Sequence, residues 1–402
     1  MALIATENTF TMWVSIRNFL MQSKVVLWAY VLVTIVASLH LYIISKHVAI
    51  APPYTDYNNY VIFKLSFFHL LDGKNLYIHH LTEQWDLYKY SPTFALAMGV
   101  LAKIPDYIAM PAWNLLNALA LYAAVRKLPF TTRNQTLMLW FILLELLTSL
   151  QNTQSNGLMA ALMIGTYNSL QSGKAWKAAL WVALAAFIKI YAVIVVCLFI
   201  FYPDKLKFIG WGIVWAVLLA VLPLVVISPQ MLVWQYNNWV VMMGQDEAMS
   251  YGMSVLGWLH TWFGLNGGKG VVTAVGIVLF FVPFARIKMY KNEVFRLLML
   301  AFMLIWVIIF NHKAESPTYI LVLTGVGIWY FARPRTAIHQ ALMAFVFVVS
   351  CMTPTDLFPH DFRHNFLEVY FIKAVPAIVL WVVIFVEVMT LKSGETERRA
   401  IG

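Results

Sequence analysis

Pro52-Pro53-Tyr54-Thr55-Asp56-Tyr57-Asn58-Asn59-Tyr60 interrupts the chain just after its first long apolar run, Val25–Ile44. That run has the length a helix needs to cross a bilayer. The two prolines end any helix that reaches them. The residues that follow set a carboxylate among tyrosines and amides at the point where the chain leaves the membrane. Two further polar and aromatic stretches come next, Leu71-Asp72-Gly73-Lys74-Asn75-Leu76-Tyr77 and Trp85-Asp86-Leu87-Tyr88-Lys89-Tyr90-Ser91-Pro92. A polar loop over 46–107 in an otherwise apolar chain is the place to look for a displayed site.

The chain has 402 residues, 61% hydrophobic and 11% charged, where soluble domains carry about a quarter charged residues. This composition predicts an all-α polytopic membrane protein, a single domain over 1–402 with long outer loops at 46–107 and 229–269. The net charge of +10 does not point to nucleic acid, because no Lys/Arg cluster is dense enough. In a membrane chain the basic residues report topology. Cys197 and Cys351 lie in separate apolar runs and form neither a disulfide framework nor a metal motif. Val25–Ile44 lacks a small-residue cleavage site and reads as a retained signal anchor.

Apolar runs fall near 25–45, 108–125, 134–150, 156–171, 176–189, 190–203, 207–227, 270–285, 296–310, 317–332, 337–352 and 367–390, about twelve crossings, with 176–189 and 190–203 a broken pair. Arg17/Lys24, Arg126/Lys127/Arg133, Lys174/Lys177, Lys205/Lys207, Arg286/Lys288/Lys291/Arg296, Arg333/Arg335 and Lys392/Arg398/Arg399 then share the cytoplasmic side, together with both termini. Ser91–Ile104 is too short to cross and is read as a re-entrant or juxtamembrane helix on the outer face. Tyr57–Leu71 carries Val61, Phe63, Leu65, Phe68 and Leu71 at helical spacing, which predicts a helix on the membrane surface. The tryptophan-rich stretch Trp234–Trp262 suits an interfacial belt.

Several side chains can carry chemistry. Asp56 either caps the helix that follows it or serves as a general base for an attacking hydroxyl. Lys89 snorkels to the interface or, beside the helix start at Ser91-Pro92, holds an anion. Tyr54, Tyr57 and Asn58 near Asp56, and Tyr88 and Tyr90 flanking Lys89, are candidates for substrate contact. The run Gln151-Asn152-Thr153-Gln154-Ser155-Asn156 is either a capped turn or a set of amides for sugar hydroxyls, with Gln151, Asn152, Gln154 and Asn156 as the contacts. Lys189 sits inside an apolar run, where an ionised side chain is costly and marks function by default. The hairpin Asn311–Pro317 brings His312, Lys313 and Glu315 to the outer face. It is either a solvated turn or a phosphate and sugar contact. His79, His80 and Glu83, and likewise His360 and His364, have metal-compatible spacings but no further ligands at a defined spacing, so no metal is expected. Glu145 and Glu368 are read as interhelical partners. No nucleotide-binding glycine loop or serine-nucleophile elbow is present.

Asp56 with Tyr60, then Leu71–Tyr77, then Tyr88–Pro92, resembles the first extracytoplasmic loop of glycosyltransferase family 87. These are polyprenol-phosphate-sugar-dependent mannosyl- and arabinofuranosyltransferases of the GT-C superfamily. Gln151, Asn152 and Asn156, Lys189, and the hairpin from His312 to Pro317 follow in the same order. The resemblance implies a GT-C fold with juxtamembrane helices roofing an outward cavity. It also implies a lipid-phosphate-linked donor and inversion at the anomeric carbon. Asp56 matches the catalytic acidic position, and Lys89, Lys189 and His312 fall where donor phosphate or sugar contacts are expected; Lys313, beside His312, could help neutralise a leaving phosphate. Many GT-C enzymes pair two acidic residues in this loop around a metal. Here Asp72 and Asp86 are remote from Asp56 in sequence, and no metal or other cofactor is expected. The expected protein is therefore a glycosyltransferase of a bacterial plasma membrane. It would move a mannose-like sugar from a polyprenyl-monophosphate donor to a lipid-linked or glycan acceptor on the outer face, among membrane lipids. A flippase of lipid-linked saccharides is the alternative, although only one broken helix pair is found where transporters show matched pairs.

Overall fold

A computed structural model describes residues 12, 14–47, 54–245, 250–353, 355 and 357–392. Among them the ordered elements are all helical. Pro52, Pro53, Arg398 and Arg399 lie outside the described residues. The apolar run Val25–Ile44 lies within one long helix, α1 (Ser23–His47). The first loop folds as α2 (Asn58–Leu71) and α3 (Pro92–Ala102). Then come α4 (Asp106–Val125), α5 (Thr132–Gln151), α6 (Asn156–Gln171) and α7 (Ala175–Ile188). A 3-10 helix, Ile190–Phe201, continues from α7 after a break. The second half holds α8 (Lys205–Val221), α9 (Pro229–Gln245), α10 (Val255–Phe263), α11 (Lys269–Phe281), α12 (Glu293–Ile309), α13 (Tyr319–Ala332), α14 (Ala337–Val346) and α15 (Ala374–Thr390).

Three of these segments are long and apolar enough to cross a membrane, Ser23–Ser45, Asp106–Val125 and Lys205–Val225. The other apolar helices are shorter: α7 stops at the break before Lys189, and Lys269–Ala285 and Ala337–Cys351 stay short even when followed through a 3-10 turn and a π-turn. The count of about twelve crossings thus depends on joining short helices across such breaks.

α12 and α13 form the centre. Both are apolar on every side and almost wholly buried, the pattern of a helix surrounded by others. α8 is the opposite case: only Phe208 is buried, so its apolar side chains face outward. A second, smaller core lies under the first loop. There Phe63 meets Tyr90, Phe94 and Trp113 edge-on at centroid distances of 4.9, 5.3 and 5.6 Å, a favoured aromatic geometry. Ser91 caps α3 by accepting from the Phe94 N–H at 3.1 Å, and its hydroxyl donates to the Phe187 carbonyl at 2.6 Å. One serine therefore starts α3 and ties it to the end of α7. From the second long loop, α9 latches onto the first. Gln235 donates to the Lys74 carbonyl at 2.7 Å, and the Trp239 indole donates to the Lys89 carbonyl at 3.2 Å.

The expectation that Glu145 is an interhelical partner is met inside the main core. Lys373 Nζ donates to Glu145 Oε1 at 2.7 Å and to Ser316 Oγ at 2.8 Å. Both charged side chains are essentially inaccessible. The pair joins α5, the 311–317 hairpin and the start of α15. Glu368, by contrast, is half-exposed and pairs with His364 at 2.7 Å. Removing one member of a buried pair strands the other charge. Lys373→Met is expected to destabilise the protein by about 3–5 kcal/mol. Glu145→Gln added to Lys373→Met is expected to recover part of that loss, as read by thermal unfolding in detergent.

Candidate functional site

The site forms where the α7 pattern fails. Lys189 leaves the helix in an extended conformation, φ −135° and ψ 108°, and the chain resumes as the 3-10 helix. The lysine is held by the amide run. Its Nζ donates to Asn156 Oδ1 at 2.7 Å and to Gln154 Oε1 at 3.4 Å. Asn156 in turn donates to Gln154 Oε1 at 2.7 Å and to the Pro317 carbonyl at 2.9 Å. Gln154 Nε2 donates to Glu315 Oε2 at 3.0 Å. Amides suit this position because each can give and receive at once.

The same run also grips the first loop. Asn59 donates to the Asn152 carbonyl at 2.9 Å, and the Tyr60 N–H donates to Thr153 Oγ1 at 3.1 Å. The Trp113 indole donates to the Thr153 carbonyl at 2.9 Å. Thr153 adopts φ +50°, a left-handed conformation rare for a β-branched residue, and these bonds hold it there. From the other side, Gly252 and Met253 donate their backbone N–H groups to the His312 and Ala314 carbonyls, each at 2.8 Å. Four distant segments thus converge on one space.

That space is a cavity of about 580 Å³. Of the expected site residues, Asn58, Lys89, Tyr90, Asn152, Gln154, Lys189, His312, Lys313 and Glu315 line it. The others stand elsewhere. Asn156 is buried behind the wall and positions Lys189. Gln151 is exposed at the end of α5. Tyr57 and Tyr88 belong to the aromatic core under the loop, and the Tyr88 hydroxyl is spent on the Ser91 carbonyl at 2.6 Å. Tyr54 packs edge-on against Trp85 and donates to the Leu81 carbonyl at 2.9 Å.

Asp56 is exposed, two residues before Asn58 in the cavity wall, and does not itself line the cavity. It is not a helix cap: α2 has Tyr57 at the cap position and no side-chain capping bond. Its backbone N–H donates to Ser45 Oγ at 2.9 Å, fixing it to the end of α1. Sequence reading missed several wall residues, among them Asn59, Trp85, Asp86, Tyr191, Met242 and Asn311. Asp86 is remote from Asp56 along the chain, yet it lines the cavity 3.8 Å from Lys89. Its position next to the polar run at 88–92 was the one available signal.

Burial controls the loop tyrosines. It pushes the Tyr90 hydroxyl well above its ordinary range. It raises Tyr57 to about 12, with nearby Asp106 adding to the effect. Both are neutral groups at neutral pH. The loop carries one titratable cluster of another kind. His69 on α2 meets Glu83 at 2.6 Å and stacks on His80 with ring centroids 4.0 Å apart. The ligand atoms of these three lie within 4.8 Å of one another. His69 thus takes the place that spacing assigned to His79, because the helical turn of α2 faces the loop at this point. The His360 and His364 rings lie 4.3 Å apart, tilted by 59°, but no third ligand joins them among the described residues.

An all-helical apolar protein with a cation-rich, amide-lined cavity at one end of its bundle suits a ligand with both an anionic group and hydroxyls. A family model, glycosyltransferase family 87, matches residues 88–310, more than half of the chain, and the protein belongs to that family, a family of glycosyltransferase enzymes. The matched segment includes Lys89, the amide run and Lys189, while Asp56 and His312 lie outside it. No curated protein matches the chain.

Lys189→Met is expected to lower sugar transfer on the order of 100-fold, because it removes a cavity-wall cation and leaves Asn156 and Gln154 without the partner they share. Asn156→Leu, which takes one partner from Lys189 but keeps its charge at the cavity, is expected to lower it less. Single-turnover assays in proteoliposomes measure both. Burial holds the His69 pKa below its ordinary value, with His80 adding to the shift and Glu83 opposing it. The unfolded loop therefore gains a proton before the folded one. The stabilisation is complete above pH about 6.5 and is lost as pH falls through the lowered value. Hydrogen exchange of residues 72–87 is expected to speed up on acidification beyond its intrinsic pH dependence, and His69→Gln is expected to remove that excess.

Proposed function

We propose that the protein is an inverting transferase that moves a mannose-like sugar from a polyprenyl-monophosphate donor to a lipid-linked or glycan acceptor at the outer face of a bacterial plasma membrane. In this reading the chain has the GT-C arrangement, about twelve crossings with α2 and α3 as juxtamembrane helices and both termini cytoplasmic. The observation that carries the proposal is a second cavity beside the first, sharing part of its wall. A groove of about 600 Å³ between the 3-10 helix, α11 and α12 is walled by Val193, Ile194, Ile277, Trp306, Val307 and Phe310, and it shares Tyr191, Asn311 and His312 with the polar cavity. A polar chamber beside a largely apolar trough, whose wall also holds Lys269, suits a donor with a phosphosugar head and an isoprenoid tail.

The acceptor oxygen would form a bond to the anomeric carbon as the bond from that carbon to the phosphate oxygen breaks. The electron pair leaves with polyprenyl phosphate, and the acceptor proton passes to Asp56. Lys89, Lys189, His312 and Lys313 would neutralise the departing phosphate, so the reaction needs neither metal nor nucleotide. Glu315, Gln154, Asn152 and Asn58 would hold sugar hydroxyls. A second reading of the base comes from Asp86, because it lines the cavity and Asp56 does not. Nothing in the fold or the family match supports the flippase alternative.

Purified protein given labelled polyprenyl-phosphate mannose is expected to release free polyprenyl phosphate only when acceptor is present. Asp56→Asn is expected to lose between about 100- and 10,000-fold in rate while still binding donor. Near-normal transfer by Asp56→Asn, with loss in Asp86→Asn, would move the base to Asp86.

A further inference from the structure

We propose that the protein carries a binding site for an anionic phospholipid at the end of the bundle opposite the sugar-transfer cavity. The site is a groove of about 680 Å³ between α4, α6 and α7, and it shares no wall residue with the polar cavity. α6 starts at Asn156, beside Lys189, and ends at Gln171. Its rise sets the far end of the groove roughly 24 Å from the transfer cavity.

The groove has two unlike parts. Its length is apolar, walled by side chains such as Leu116 and Leu162. Its far mouth carries three cations, Lys127, Lys174 and Lys177. Lys127 and Lys174 are exposed, and Lys177 lies over the Trp181 ring at 5.4 Å. Among the described residues none of the three has an acidic partner, while most lysines of the first loop do. The walls hold their shape without a ligand: Asn168 on α6 donates to the Ala124 carbonyl of α4 at 3.0 Å, and the Trp181 indole of α7 donates to Ser169 at 3.1 Å.

Charge complementarity selects the occupant. A zwitterionic lipid would fill the trough but leave three positive charges uncompensated. A soluble phosphate would meet the charges but leave the trough unfilled. A lipid with a net negative phosphodiester head and long acyl chains satisfies both parts. Basic residues near a bilayer surface favour anionic lipid additively. The proposal does not depend on which sugar or carboxylate serves the transfer reaction.

Native mass spectrometry of the full chain released from nanodiscs of equal phosphatidylglycerol and phosphatidylcholine tests it. The wild type is expected to retain phosphatidylglycerol preferentially. K127Q/K174Q/K177Q is expected to lose that preference on the order of 10- to 100-fold, whereas K127R/K174R/K177R keeps it. Ala123→Trp, which fills the trough and spares the lysines, is expected to lose the retained lipid with an unchanged melting temperature and unchanged sugar transfer. Equal retention of both lipids by the wild type would overturn the proposal. So would a preference that survives in the glutamine variant, or glycerol 3-phosphate displacing the lipid at equal concentration.

Discussion

An ammonium group inside an apolar chain must be surrounded by oxygen, and the architecture of the site follows from meeting that demand for Lys189. The α7 pattern breaks at this residue, so the side chain escapes the helix surface and reaches Asn156 and Gln154. Those amides cannot serve it unless the loop between α5 and α6 is itself pinned. Glu315 and the Pro317 carbonyl pin it from one side, and the first loop does so from the other. Remove the lysine and the amides lose their shared partner. Remove the amides and a charge is stranded in a low-dielectric place, at a cost of several kcal/mol.

The buried Glu145–Lys373 pair extends this logic one layer outward. It fixes Ser316, and with it the hairpin that bears His312, Lys313 and Glu315. A hairpin held by a buried ion pair and by two backbone bonds from the second outer loop presents its charges at a defined place. Preorganised charge stabilises a leaving anion without reorganisation at the moment of reaction. The bundle therefore concentrates cations at two separate levels. One set lines the polar cavity, where amides hold Lys189. The other stands at the mouth of an apolar groove, with no acidic partner among the described residues.

Much of this was legible in the residues. Helical spacing located α2, Ser91-Pro92 announced the start of α3, and an unaccompanied lysine among alanines and isoleucines marked the break after α7. The amide run, Lys89, Lys189 and the 311–317 hairpin do meet around one cavity, as their shared chemistry implied. What was not legible depended on distance in space. Tyr57 and Tyr88 looked like ligands because they flank polar residues, but an aromatic side chain between helices is drawn into a core when enough others join it. Spacing paired His79 with His80 and Glu83, whereas the turn of α2 brings His69 to them. Asp86 looked remote from Asp56, but the loop folds it into the wall.

Composition and periodicity by themselves determined that the chain is helical and membrane-like, where α2 and α3 begin, and which polar side chains are too costly to be incidental. These are local properties, set by residue type and by the 3.6-residue repeat. Only the tertiary structure decided which of those side chains share a space. Convergence of the first loop, the amide run, the α7 break and the hairpin comes from hydrogen bonds spanning up to 161 residues, and no local pattern encodes them. The physical reason is that burial of a charge or an amide is resolved by whichever partner packing brings near, and packing is a property of the whole bundle.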